Sequence, residues 1–194
     1  MANALNADMG ITTSIFSKPD CGAAQSGCGT VGVKLNNADL ANMVRYVSLL
    51  GVAARRDLKD VQALQGQALF TSAGCTGCHT TALTTSSMHP FAELRSQTIR
   101  PYTDLLLHDM GAGLADTLPE GSAKGEEWRT APLWSIGLNP GVASGLEAYL
   151  HDGRARNLSE AILWHGGEGQ ASKEAYRTMN ASDRAAMLKF IRSL

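Results

Sequence analysis

No apolar run in this chain approaches the roughly 20 residues that a membrane-spanning helix needs, which excludes a helical membrane span and predicts a soluble protein. An excess of charge of either sign is missing as well. Lys and Arg number 17 against 18 Asp and Glu, for a formal net charge of -1, so the total charge points neither to nucleic acid nor to an anionic membrane as a partner. Alternating strand patterns and internal repeats are both absent. The opening stretch from Met1 to Asp8 has neither the basic n-region nor the apolar h-region of an export signal.

What the chain has is one domain's worth of residues, 194, with a globular hydrophobic content of 44%. Residues 1–36 are rich in Gly, Ser, Thr and Asn and predict an irregular arm, with a single domain over 37–194. Leu40, Met43, Val44, Val47 and Leu50 share one helical face, with Asn36 or Asn37 available as N-cap. A second helix is predicted over 58–71, with Val61, Leu64, Ala68 and Leu69 inward and Gly66 permitting a close helix contact. Residues 80–99 form a polar loop, and 102–111 a short strand or a turn of helix. Ser159 is the expected N-cap of a helix running to Trp164 or His165 and stopped by Gly166-Gly167. Ser182 is the expected cap of a terminal helix that presents Met187, Phe190, Ile191 and Leu194. The fold class is therefore mainly α.

Four cysteines fall into two pairs. Cys75-Thr76-Gly77-Cys78-His79 is a complete CxxCH string, in which two thiolates three residues apart add to the two vinyl groups of one haem and the adjacent imidazole binds its iron. One covalent haem c is expected there, in a cytochrome c-type domain whose helix before Cys75 packs on the helix ending at Leu194, with long loops around the haem. A zinc site using Cys21 and Cys28 as further ligands, and a thioredoxin-like redox pair, are the competing readings of C-x-x-C. Covalent haem attachment normally takes place outside the cytoplasm, so a periplasmic or otherwise exported protein is expected, the chain being a processed piece of a longer one. In that oxidising setting Cys21 and Cys28 read as a disulfide closing a short loop; two free thiols or half of a metal site are the alternatives.

The strings Met9-Gly10-Ile11-Thr12-Thr13, Leu107-His108-Asp109-Met110-Gly111, Glu127-Trp128-Arg129-Thr130-Ala131-Pro132-Leu133-Trp134, Tyr149-Leu150-His151-Asp152-Gly153-Arg154-Ala155 and Glu160-Ala161-Ile162-Leu163-Trp164-His165-Gly166-Gly167 extend the comparison over nearly the whole chain. They resemble the di-haem thiol oxidoreductases, relatives of the bacterial di-haem cytochrome c peroxidases and the methylamine-utilisation di-haem enzymes. Family members carry two haem motifs and this sequence one, so the resemblance is to the C-terminal, electron-relay half. It implies His165 as the sixth iron ligand opposite His79, hence bis-histidine ligation. Met110 is the runner-up, and Met88, His89, His108, His151 and Met179 are further candidates. Trp164 and Trp134 are expected as walls of the haem pocket and Arg129 as a propionate partner, a role that His108 and His151 could share. Two functions follow. One is electron transfer to a redox partner protein or to an N-terminal haem domain of a longer parent. The other is a peroxidase-like or thiol-oxidising centre with a displaceable sixth ligand, using His108, His151 or Glu168 as acid or base.

Overall fold

The computed structural model describes residues 1–19 and 32–194, and the expected Cys21–Cys28 disulfide lies outside these residues. The described chain is mainly helical, as expected, and it divides into two compact units. The first comprises residues 1–51 with 89–94, the second residues 52–88 with 95–194.

The first unit contains helices α1 (Ala2–Met9) and α2 (Asn37–Ser48). The reading of residues 1–36 as irregular throughout is corrected by α1. Its alanines favour helix, but it buries only Leu5 and Asn6, so no apolar periodicity announces it. Gly10 ends it in the left-handed conformation at φ 62°. Asn36 caps α2, accepting the Asp39 amide, as one of the two expected candidates. Arg45 joins α2 to the 89–94 segment through Glu93 at 2.9 Å.

In the second unit, α3 (Val61–Ser72) and α7 (Ala181–Ser193) form the central pair. The start of α3 is three residues later than predicted because Asp60, not a residue near Leu58, accepts the Ala63 amide as N-cap. Asn180 likewise takes the place expected of Ser182 in α7, accepting from the Asp183 amide. Met187, Phe190, Ile191 and Leu194 are all buried, along the predicted face. The two helices meet at Gly66. A Cβ there would overlap the Ala186 carbonyl and stand 2.8 Å from the Phe190 Cβ, so only hydrogen fits.

Phe190 in turn meets Phe70 of α3 at a centroid separation of 5.3 Å, and both rings pack edge-on against Tyr102. Arg56 closes the end of α7, its guanidinium donating to the carbonyls of Arg192 (2.6 Å) and Leu194 (3.0 Å).

The remaining elements are short. Strands β1 (Leu83–Thr84) and β2 (Thr98–Ile99) pair antiparallel, as do β3 (Leu107–Asp109) and β4 (Glu127–Arg129). Helix α4 (Asn139–Val142) leads through a long loop to α5 (Leu158–Trp164) and α6 (Gln170–Thr178). The cap of α5 is Asn157, which accepts the Glu160 amide, rather than Ser159. Ser159 instead bonds the buried Tyr176 hydroxyl at 2.8 Å, tying α5 to α6.

Gly66→Ala should destabilise the protein by about 1–3 kcal/mol, because overpacking outweighs the gain of about 1 kcal/mol in helix propensity. Denaturant unfolding measures it, and an unchanged or raised midpoint would contradict the close contact.

Candidate functional site

Helix α3 aims the CxxCH segment. Its last residues are followed by Ala73 and by Gly74 at φ 81°, a left-handed turn that redirects the chain into a short 3-10 turn, Cys75–Gly77. The His79 amide then bonds the Cys75 carbonyl at 2.9 Å, which brings both thiols and the imidazole onto one compact loop. Both thiols are free. Cys75 packs against the core, and burial pushes its thiol up to about 11. Cys78 is raised by burial and by the carboxylates of Asp104 and Glu168.

His79 lies 6.0 Å from Phe70, ring to ring, so the α3–α7 core forms one wall of its pocket. Its Nδ1 stands 2.9 Å from the Tyr102 carbonyl oxygen. A carbonyl only accepts, so the proton must sit on Nδ1 and the lone pair on Nε2. Tyr102 holds that carbonyl in place from a left-handed backbone, φ 55°, which costs a non-glycine residue energy. Its buried ring between Phe70 and Phe190, the Leu133 amide on the Pro101 carbonyl and the Thr103 hydroxyl on the Thr130 carbonyl together keep it there.

His165 follows the last residue of α5. Its Nδ1 lies 2.8 Å from the Ala161 carbonyl, so it too carries the proton on Nδ1 and its lone pair on Nε2. The two imidazole centroids are 6.5 Å apart with planes inclined at 49°. Neither Nε2 has a hydrogen-bond partner among the described residues. Burial lowers the pKa of both rings, His79 to about 4. Two neutral imidazoles, each oriented through its far nitrogen and each with a ligand lone pair, thus occupy one pocket.

The loop that carries His165 crosses β3 backbone to backbone. Gly166 and Gly167 press on Met110 and Asp109: a Cβ at Gly166 would sit 2.8 Å from the Met110 carbonyl, and one at Gly167 would overlap the Asp109 carbonyl. The Met110 methyl and the His165 Cδ2 both lie 3.3 Å from where a Cβ of Gly169 would stand, so the expected runner-up ligand is a close neighbour of His165. Met110, Leu163, Trp164 and Lys173 line a cavity of about 480 Å³, and Arg154 lies over the Trp164 ring at 5.0 Å.

The other expected site residues lie on several different elements. Arg129 is exposed in β4 opposite Leu107, and Trp134 is half-buried with no ring contact to either histidine. His151 stacks on Trp128 at 3.5 Å. His89 packs on Phe91 in the first unit, Met88 is 87% exposed, and Met179 packs against the core. His108 bridges Asp104 and Glu168, 2.9 Å from each. The Tyr102 and Ala161 carbonyls were not foreseen, because a backbone acceptor leaves no residue signature. Phe70 and Tyr102 could have been singled out as large apolar rings flanking the motif.

An imidazole pair beside two free thiols is a donor set that suits a haem. The described residues also bring Cys78, Asp104 and His108 donor atoms within 4.8 Å of one another, as a metal ion could use. That group leaves Cys75, His79 and His165 unexplained, and two of its members already satisfy each other.

Acid should loosen this site. The unfolded chain, with histidines near pKa 6.5, binds protons that the folded chain refuses, so stability falls as pH drops below about 6.5 and the loss levels off near the lowered folded values. Thermal melts of the haem-free chain between pH 7 and 4 should show the midpoint falling, with a shallower slope in His79→Gln; a flat midpoint in the unsubstituted chain would contradict the burial of both neutral rings. Searches of curated proteins and of solved structures returned no match. The profile of the family described as "Di-haem oxidoreductase, putative peroxidase" matches residues 2–194, in agreement with the motifs and with the imidazole pair. The chain belongs to that di-haem oxidoreductase family.

Proposed function

We propose that the chain is an electron-transfer domain of the cytochrome c type that carries one covalent haem c, attached through Cys75 and Cys78 and ligated by His79 and His165. The observation that carries this reading is the imidazole pair. Two ring nitrogens about 2 Å on either side of one ion put the centroids about 6 Å apart, and the pair stands at 6.5 Å with both Nδ1 atoms already committed to carbonyls.

Bound there, haem supplies one-electron chemistry, the iron cycling between ferric and ferrous. The chain's own residues do the rest. The Tyr102 and Ala161 carbonyls hold both imidazoles in the tautomer that offers Nε2, and they increase the basicity of the rings. Phe70 and the α3–α7 core keep water from the His79 side. With imidazole donors from both His79 and His165, the iron would have a lower potential than with histidine and methionine, and peroxide or oxygen would find no free ligand position.

The sequence holds one CxxCH, whereas the family is described as di-haem. The redox partner would accordingly be an N-terminal haem domain of a longer parent or another redox protein. Covalent haem attachment is normally made outside the cytoplasm, which is where we place the protein. The peroxidase reading draws support from the family description, and it requires the sixth ligand to be displaceable.

The test is the visible spectrum of protein matured with haem, ferric and reduced, for wild type and His165→Ala. Sharp low-spin bands, only slow replacement of the sixth ligand by cyanide, no reaction with peroxide, and a high-spin variant that binds cyanide readily are the expected results. A high-spin wild type would favour the catalyst. A spectrally unchanged variant would move the sixth ligand to Met110.

A further inference from the structure

The electron-relay reading gives roles to both axial histidines but not to His108, which is the most elaborately bonded side chain near them. Its Nε2 lies 2.9 Å from Asp104 Oδ2 and its Nδ1 2.9 Å from Glu168 Oε2, with the ring only 15% exposed. Carboxylates accept, so both ring nitrogens must donate, and His108 is an imidazolium. Glu168 and then Asp104 raise its pKa, in keeping with that state.

The two carboxylates belong to different halves of the site. Asp104 follows Tyr102 by two residues, and Tyr102 supplies the carbonyl that orients His79. The Asp104 carboxylate also accepts the Leu106 amide at 2.9 Å, which fixes it to the loop. Glu168 follows His165 by three residues, and its second oxygen accepts the Asp109 amide at 3.0 Å. Between them, Gly166 and Gly167 lie directly on the backbone of Met110 and Asp109, an approach that contributes no side-chain bond of its own. The His165 end of α5 is therefore joined to β3 by packed glycine backbone and by one carboxylate.

The geometry points to His108 as a positioning residue: its imidazolium bridges Asp104 and Glu168, and so locks the His165 loop to the segment that orients His79. This rests on the proposed bis-histidine ligation and adds the element that keeps the sixth ligand from exchanging. Asp104 and Glu168 hydrogen-bond neither His79 nor His165, so the bridge positions His165 through the backbone, by limiting how far it can swing from its partner, while the charges of Asp104 and His108 reach His79 through space. Loosening it makes ligand exchange easier, with Met110 beside His165 as the internal competitor.

Two readouts on the haem-loaded full chain test this. The first is hydrogen–deuterium exchange of the amides of residues 109–111 and 166–169, which depends on the tie and not on which atom binds iron. The second is the rate at which cyanide replaces the sixth ligand in the ferric protein. In His108→Ala both should rise, by about 10- to 100-fold for the loss of charge-assisted hydrogen bonds. Glu168→Gln, which keeps an acceptor for the Asp109 amide, should fall between that variant and the wild type. Arg177→Ala, which removes an exposed ion pair with Glu174, should change neither.

Wild-type exchange in His108→Ala would overturn the proposal whatever the ligation. Faster exchange with an unchanged cyanide rate, in a protein where His165→Ala turns high-spin, would also overturn it, since the tie would then not govern the ligand. If His165→Ala is spectrally silent, the ligand assignment fails instead; the bridge is then judged by exchange alone, and its role toward His165 falls with that assignment. Should His108→Ala not fold, Glu168→Gln and His108→Gln carry the same two readouts.

Discussion

Everything around the site follows from one constraint: a buried imidazole can offer a metal only the nitrogen that its surroundings leave unprotonated. His79 and His165 meet that constraint in the same way from different segments of the chain, each giving its Nδ1 proton to a backbone carbonyl. The carbonyl of Ala161 is already in place, four residues back on the same helix. That of Tyr102 has to be brought from a different loop, and the strained left-handed backbone at Tyr102 is part of the cost of bringing it. The α3–α7 core bears that cost, because the Tyr102 ring is wedged against Phe70 and Phe190 and cannot relax without opening the helix pair.

Ala181 to Ser193 buries the residues that its spacing marks. Val61 to Ser72 does not: Val61, Leu64 and Ala68, expected inward, are exposed, and Ala63, Gly66 and Phe70 are buried instead, because the close approach at Gly66 turns that face of α3 onto α7. The existence of both helices was legible. Their exact starts were not. Asp60, Asn157 and Asn180 took the capping roles at the helix starts, in two cases from a serine two residues further along, because any of several small polar residues can serve and the choice depends on how the preceding loop arrives. Helix α1 escaped notice because it has almost no buried face to display.

For the site, side chains with distinctive chemistry were readable and their supports were not. CxxCH announces itself, and His165 came from the family resemblance rather than from any periodicity. The Tyr102 and Ala161 carbonyls belong to the backbone, which every residue has. Arg129 and Trp134 were plausible by type; Arg129 is exposed in β4, and Trp134 is half-buried without a ring contact to His79 or His165. His108 was foreseen as a candidate ligand, base or propionate partner; its two carboxylates are 4 and 60 residues away, and no local pattern links the second.

The glycine crossing of Gly166 and Gly167 over Asp109 and Met110 has a consequence for anyone who would redesign this protein. Because no side chain fits at the crossing, the loop that carries His165 cannot be adjusted there by substitution. Changes to the surroundings of His165 have to enter from the flanks, through Trp164 with its overlying Arg154 on one side or through Glu168 on the other, so the adjustable positions are few and lie at the margins of a fixed seam.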